Sequence, residues 1–191
     1  MVAELVARRF TLEEYERMIE AGVFDEDERI ELLGGRIVHM APIGLRHAAC
    51  VSDTHEWFLV RLQGRAIIHG QNPVAIPPDA EPQPDVLILR YRADRYRTRR
   101  PQPEDVLLVI EVADSSLAID RFQKLPLYAA AGIPEAWIFD LNGGRALVHR
   151  EPRDGSYTSV TAVERSGTLS PLAFPELVLP LDEILGPTAA E

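Results

Sequence analysis

The chain has 191 residues, 46% of them hydrophobic and 26% charged, with a formal net charge of −10 at pH 7. This length suits one well-cored domain over 1–191, with its core at about 10–185, and the acidity disfavours indiscriminate binding to nucleic acid or anionic membrane. Cys50 is alone, which excludes an intrachain disulfide; the first residues, with acidic Glu4 and early arginines but no apolar core, do not read as a secretory leader, and the longest apolar run, Val106–Ile110, is too short to cross a membrane, so a cytoplasmic protein is expected.

Thr11-Leu-Glu-Glu14 reads as a capping box, with Phe10 and Tyr15 placed as a hydrophobic staple and Leu12, Tyr15 and Ile19 at helical spacing up to a stop at Gly22. Ile30 to Met40 reads as a β-hairpin about a Gly34-Gly35 turn, which would set Glu31 opposite Val38. Residues 45–63 follow as a helix with Cys50, Val51, Trp57 and Val60 as its apolar stripe, then strands at about 66–76, 85–91 and 106–113. The last of these is apolar on both faces, as a central strand should be. A helix capped by Ser115 or Ser116 runs to Gly132 with a kink at Pro126, and a second hairpin joins Glu135–Asp140 to Arg145–Arg150 through Asn-Gly-Gly. A strand at Tyr157–Val163 closes the series. The order helix, three strands, helix, strand, strand predicts a mixed α/β fold.

Three residues carry the chemistry. By two-residue alternation Glu111 shares a face with Leu107, Val109 and Ala113, where an unpartnered carboxylate is costly. Asp85 opens the preceding strand at Pro84-Asp85-Val86, so neighbouring strands would bring both carboxylates to one end of the sheet. Two such acids repel unless a cation lies between them, and a divalent ion held by one or two carboxylates, with water completing its shell, is the usual arrangement for magnesium, with manganese as a substitute. Lys124 is the only lysine among the 20 basic residues. Every other positive charge is an arginine, so a compact ammonium at this one place points to a site that needs it. Together Asp85, Glu111 and Lys124 suit metal-assisted hydrolysis of a phosphodiester. Taken singly, Asp85 also reads as a turn acid, and Glu111 as a core acid paired with an arginine.

Other residues are candidate supports. Asp120 lies four residues before Lys124, placed to hold the ammonium or to form an ordinary surface pair. Glu31 reads as a further metal ligand, a water-positioning group or a half-exposed strand acid. His47 reads as a general base, a phosphate contact or a packing residue. Residues 90–100 hold six arginines against one aspartate. Arg95, Arg97, Arg99 and Arg100 are candidate nucleic-acid contacts with Tyr91 and Tyr96 for base stacking, or else a solvated or self-associating loop.

The ordered segments Glu31-Leu-Leu-Gly-Gly35, Pro84-Asp85-Val86, Val109-Ile-Glu111-Val, Asp120-Arg-Phe-Gln-Lys124-Leu-Pro-Leu-Tyr128 and Ala131-Gly-Ile-Pro-Glu135-Ala-Trp137 resemble the Uma-type family, a domain-of-unknown-function branch of the PD-(D/E)xK restriction-endonuclease-like superfamily. The resemblance covers roughly residues 10–185. It implies an αβββαβ core with an added N-terminal helix and hairpin, Asp85 and Glu111 as ligands of Mg2+ or Mn2+, DNA as substrate and a homodimer. The superfamily's lysine position, two residues after the glutamate, holds Ala113, and Lys124 on the following helix stands in its place. The competing readings are a non-catalytic nucleic-acid-binding or self-assembling protein that retains the fold, and a hydrolase of another phosphate ester.

Overall fold

The computed structural model describes residues 7–25 and 27–186. Helix α1 (Leu12–Glu20) starts at the capping box, where Glu14 N–H donates to the Thr11 hydroxyl and the Glu14 side chain accepts from Thr11 N–H. It buries Leu12 and Tyr15, but Ile19 faces solvent, so the predicted stripe is shorter than its spacing implied. Strands β1 (Ile30–Leu33) and β2 (Arg36–His39) pair about Gly34 and Gly35, whose φ of 54° and 77° are the left-handed values that a two-residue hairpin turn requires. Glu31 pairs with Val38.

Helix α2 (Leu45–Arg61) buries Cys50, Thr54, Trp57 and Phe58. Val60 lies on the opposite side and is exposed, and Val51 is half-buried, so Phe58 rather than Val60 completes the apolar stripe. Strand β3 (Ala66–Gly70) is shorter than the predicted 66–76, because Gln71 adopts φ 51° and turns the chain out of the sheet. Strands β4 (Val86–Arg90), β5 (Val106–Ala113), β6 (Glu135–Asp140), β7 (Arg145–Arg153) and β8 (Ser156–Glu164) complete a six-stranded sheet in the order β3-β4-β5-β6-β7-β8. Only β5 and β6 run parallel, which requires the helical crossover between them. The short pair β9 (Thr168–Leu169) and β10 (Leu179–Pro180), then α5 (Leu181–Leu185), end the described chain.

The crossover departs from a simple kinked helix. It consists of α3 (Leu117–Ile119), a π-turn over Asp120–Lys124 and α4 (Leu125–Ala130). The irregularity precedes Pro126, which sits in the first turn of α4 where its missing N–H is tolerated. Leu125 N–H reaches the Asp120 carbonyl, and the extra residue in that turn lets both Asp120 and Lys124 face inward. Ser116 precedes α3 without a side-chain cap, because its hydroxyl donates to the Asp120 carboxylate instead.

The sheet separates two apolar layers. On one face α2 and α5 pack over Val86, Ile88, Leu108, Ile110, Val112 and Trp137. On the other, α4 and the loop before β4 cover Leu87, Leu89, Val109, Ala113 and Ile138. A β-bulge at Leu107, where Ile88 pairs with Leu108 but Leu89 with Val106, shifts the alternation. Leu107 therefore packs with the α2 layer instead of sharing the face of Glu111. The αβββαβ core is α2, β3, β4, β5, α3–α4 and β6, with α1 and the first hairpin added before it.

Candidate active site

Strand pairing brings the two acids together. Val86 pairs with Ile110, and continuing the antiparallel register by one residue sets Asp85 opposite Glu111. Both alternate with Leu87 and Val109, so they lie on the sheet face that α3–α4 covers. Asp85 reaches across to β5, accepting from Val112 N–H at 2.8 Å. Its other partners are His47 Nε2 at 3.0 Å and Gln71 Nε2 at 3.3 Å. His47, in the first turn of α2, is thereby tied to the site, and its other ring nitrogen, Nδ1, is buried with no hydrogen-bond partner among the described residues. The hydrogen bond to Asp85 raises the His47 pKa, against the opposing effect of burial.

Lys124 is 5% exposed and lies 3.3 Å from both Glu31 Oε2 and Glu111 Oε1. Burial alone would lower its pKa, but the carboxylates of Glu111 and Glu31 outweigh it and hold the ammonium charged above the ordinary lysine range. Glu111 is 3% exposed, and burial pushes its carboxyl upward; Lys124 opposes that shift, Asp120 and Asp85 add to it, and a 2.6 Å hydrogen bond from the Tyr128 hydroxyl opposes it further. Glu31 reaches the site from β1 and is steadied by Gln83 N–H at 3.0 Å.

Asp120 makes no ion pair with Lys124 among the described residues. The i,i+4 contact of a regular helix is opened by the π-turn, and Asp120 accepts instead from Ser116 Oγ at 2.6 Å. Burial raises its pKa to about 6, with Lys124 and Ser116 opposing.

These groups line a cavity of about 260 Å³ between the first hairpin, the start of α2 and the π-turn. Its walls carry the acids Glu31, Asp85, Glu111, Asp114 and Asp120 against the cations Arg29 and Lys124, so the recess is short of positive charge. Among the described residues no group of three or more His, Cys, Asp or Glu side chains is arranged to enclose a metal ion. Asp85 and Glu111 both present carboxylates at this recess, the oxygen donors that a hard divalent ion takes.

The arginine segment lies elsewhere. Asp85 is at the start of β4 and the segment leaves from its end, so no residue of 90–100 lines the recess. Arg97, Arg99 and Arg100 border a separate hollow with His69 and Tyr96. Arg99 is paired with Asp105, and Arg100 with Glu16 and Glu81. Arg95 and Arg97 are exposed and form no ion pair among the described residues. Tyr96 is buried, donating to the Arg90 carbonyl at 2.8 Å, and is closed to base stacking; Tyr91 remains exposed.

Sequence reasoning missed Tyr128, Gln83 and Ser116. Tyr128 had a signal, since it follows Lys124 by four residues on the same helical face. Gln83 and Ser116 act through loop geometry that no periodicity announces.

The mixed sheet, with its one parallel pair joined by a helical crossover and a helix and hairpin added before it, has a restriction-endonuclease-like αβββαβ fold. The chain matches the Uma2 family, described as "Putative restriction endonuclease", over residues 12–182, and it belongs to that family. It is also similar to a crystal structure described as a putative nuclease belonging to DUF820 from Anabaena variabilis ATCC 29413. That likeness has a TM-score of 0.72 and 15% identity, and covers 92% of this chain and 97% of the other. No curated protein matches the chain. No described helix is long and apolar enough to cross a membrane.

Proposed function

We propose that this protein is a magnesium-dependent endonuclease, with manganese as a substitute, that hydrolyses phosphodiester bonds of DNA. The observation that carries the reading is the buried ammonium of Lys124, 3.3 Å from both Glu31 and Glu111, in the acidic recess that Asp85 shares. Asp85 and Glu111 would hold the divalent ion, which supplies an activated water and offsets charge in the transition state. Lys124 would stabilise negative charge growing on the phosphoryl oxygens, a task for a preorganised cation in a water-poor site. Glu31 fixes the ammonium, and Tyr128 fixes Glu111. His47 orients Asp85, and Asp120 adds to the field that keeps Lys124 charged. Arg95 and Arg97 are available for phosphate contacts outside the recess. A cytoplasmic homodimer belongs to the same reading, and light scattering on the purified protein tests the dimer.

The direct test is nuclease activity of purified protein on DNA with Mg2+ or Mn2+. Cleavage should vanish with EDTA and in Glu111→Ala and Lys124→Ala. Equal cleavage by those variants would identify a contaminant and contradict the proposal.

A further inference from the structure

Resting on that nuclease reading, we infer that the site takes an unpaired nucleic-acid strand rather than a continuous duplex. The reacting groups are recessed: Asp85, Glu111 and Lys124 are all buried, at a cavity walled by the first hairpin, residues 40–44 and the π-turn. A duplex holds its phosphates on a stiff cylinder with a persistence length of about 150 base pairs, and drawing one phosphate into a recess means bending the helix. A single strand turns freely about each linkage and can lower one phosphate into the cavity.

The rim favours the same substrate. Ile43 and Ile119 line the recess and are exposed, and Leu45, two residues after Ile43, is 91% exposed. Phe122 is 72% exposed, next to the lining residue Gln123, with the Arg121 guanidinium 5.6 Å over its ring. Exposed apolar and aromatic side chains around an acidic recess find a partner in the open face of an unstacked base, and a duplex hides those faces. A duplex-binding protein usually neutralises a row of phosphates with a basic surface. Here the chain is acidic overall, and Arg92, Arg99 and Arg100 are engaged by acids of the same chain.

The test is fluorescence anisotropy in Ca2+ with two probes, a single-stranded oligothymidylate of about fifteen nucleotides and a blunt hairpin duplex of similar length. The single strand should bind about tenfold tighter, and Phe122→Ala should weaken it about tenfold while leaving hairpin binding unchanged. Phe122 is at the surface, so this variant folds. Equal or tighter binding of the hairpin, or an unchanged single-strand affinity in Phe122→Ala, overturns the inference and leaves the nuclease reading standing. Binding of neither probe removes both.

Discussion

The ammonium of Lys124 and the carboxylate of Glu31 meet at 3.3 Å, joining the first hairpin to the π-turn of the crossover. Both groups are buried, so each depends on the other to offset lost hydration. The hairpin is thereby part of the site and not an appendage to the sheet.

Glu31→Gln keeps the shape and removes the charge. Lys124 retains Glu111, so the loss is that of one charge-assisted contact, about 1–3 kcal/mol of stability. Urea unfolding measures it, and nuclease activity should fall with the loosened ammonium. Unchanged stability and activity would show that Glu31 does not hold Lys124.

Tyr128→Phe removes only the hydroxyl that donates to Glu111 at 2.6 Å. The ring is fully buried and its volume is kept, so packing survives, while Glu111 loses a donor worth about 1–3 kcal/mol. The carboxyl pKa should move higher still, and more Mn2+ should be needed for half-maximal activity. A lowered stability with an unchanged metal requirement would limit Tyr128 to packing.

His149 supplies a pH prediction. It is buried on β7, and burial lowers its pKa below the ordinary 6.5, with a smaller contribution from the Arg121 charge. The unfolded chain therefore binds a proton near pH 6.5 that the folded chain resists, so this residue's contribution to stability is present above pH 6.5 and is lost as pH falls toward the folded value. His149→Asn should flatten the decline in stability between about pH 7 and 5. Because Glu81 and Asp120 have raised values of opposite sign, the difference between variant and wild type is the quantity to measure. Parallel stability curves would contradict this account.

Much of this site was legible because strand periodicity and the unique lysine speak directly to it. Asp85 and Glu111 share a face because each keeps alternation with an unbroken neighbour, and Gly34-Gly35 announces a turn that fixes Glu31. What stayed hidden depends on local irregularity. The bulge at Leu107 changes faces without any signature in an all-apolar run, and the extra residue in the π-turn breaks the i,i+4 rule that would have paired Asp120 with Lys124. The arginine segment lies apart from the recess for a topological reason. It links the strands of both acids, but at the end of β4 away from Asp85, and there it folds back to bury Tyr96.

The most direct measurement is kcat/KM for DNA cleavage in Mg2+ by Lys124→Met and Lys124→Arg, with folding of each verified by circular dichroism. A loss of at least about a hundredfold is expected in Lys124→Met. Lys124→Arg should not restore the rate, because a planar fork cannot replace a compact ammonium held between two carboxylates. A folded Lys124→Met that cleaves at the wild-type rate would contradict the account.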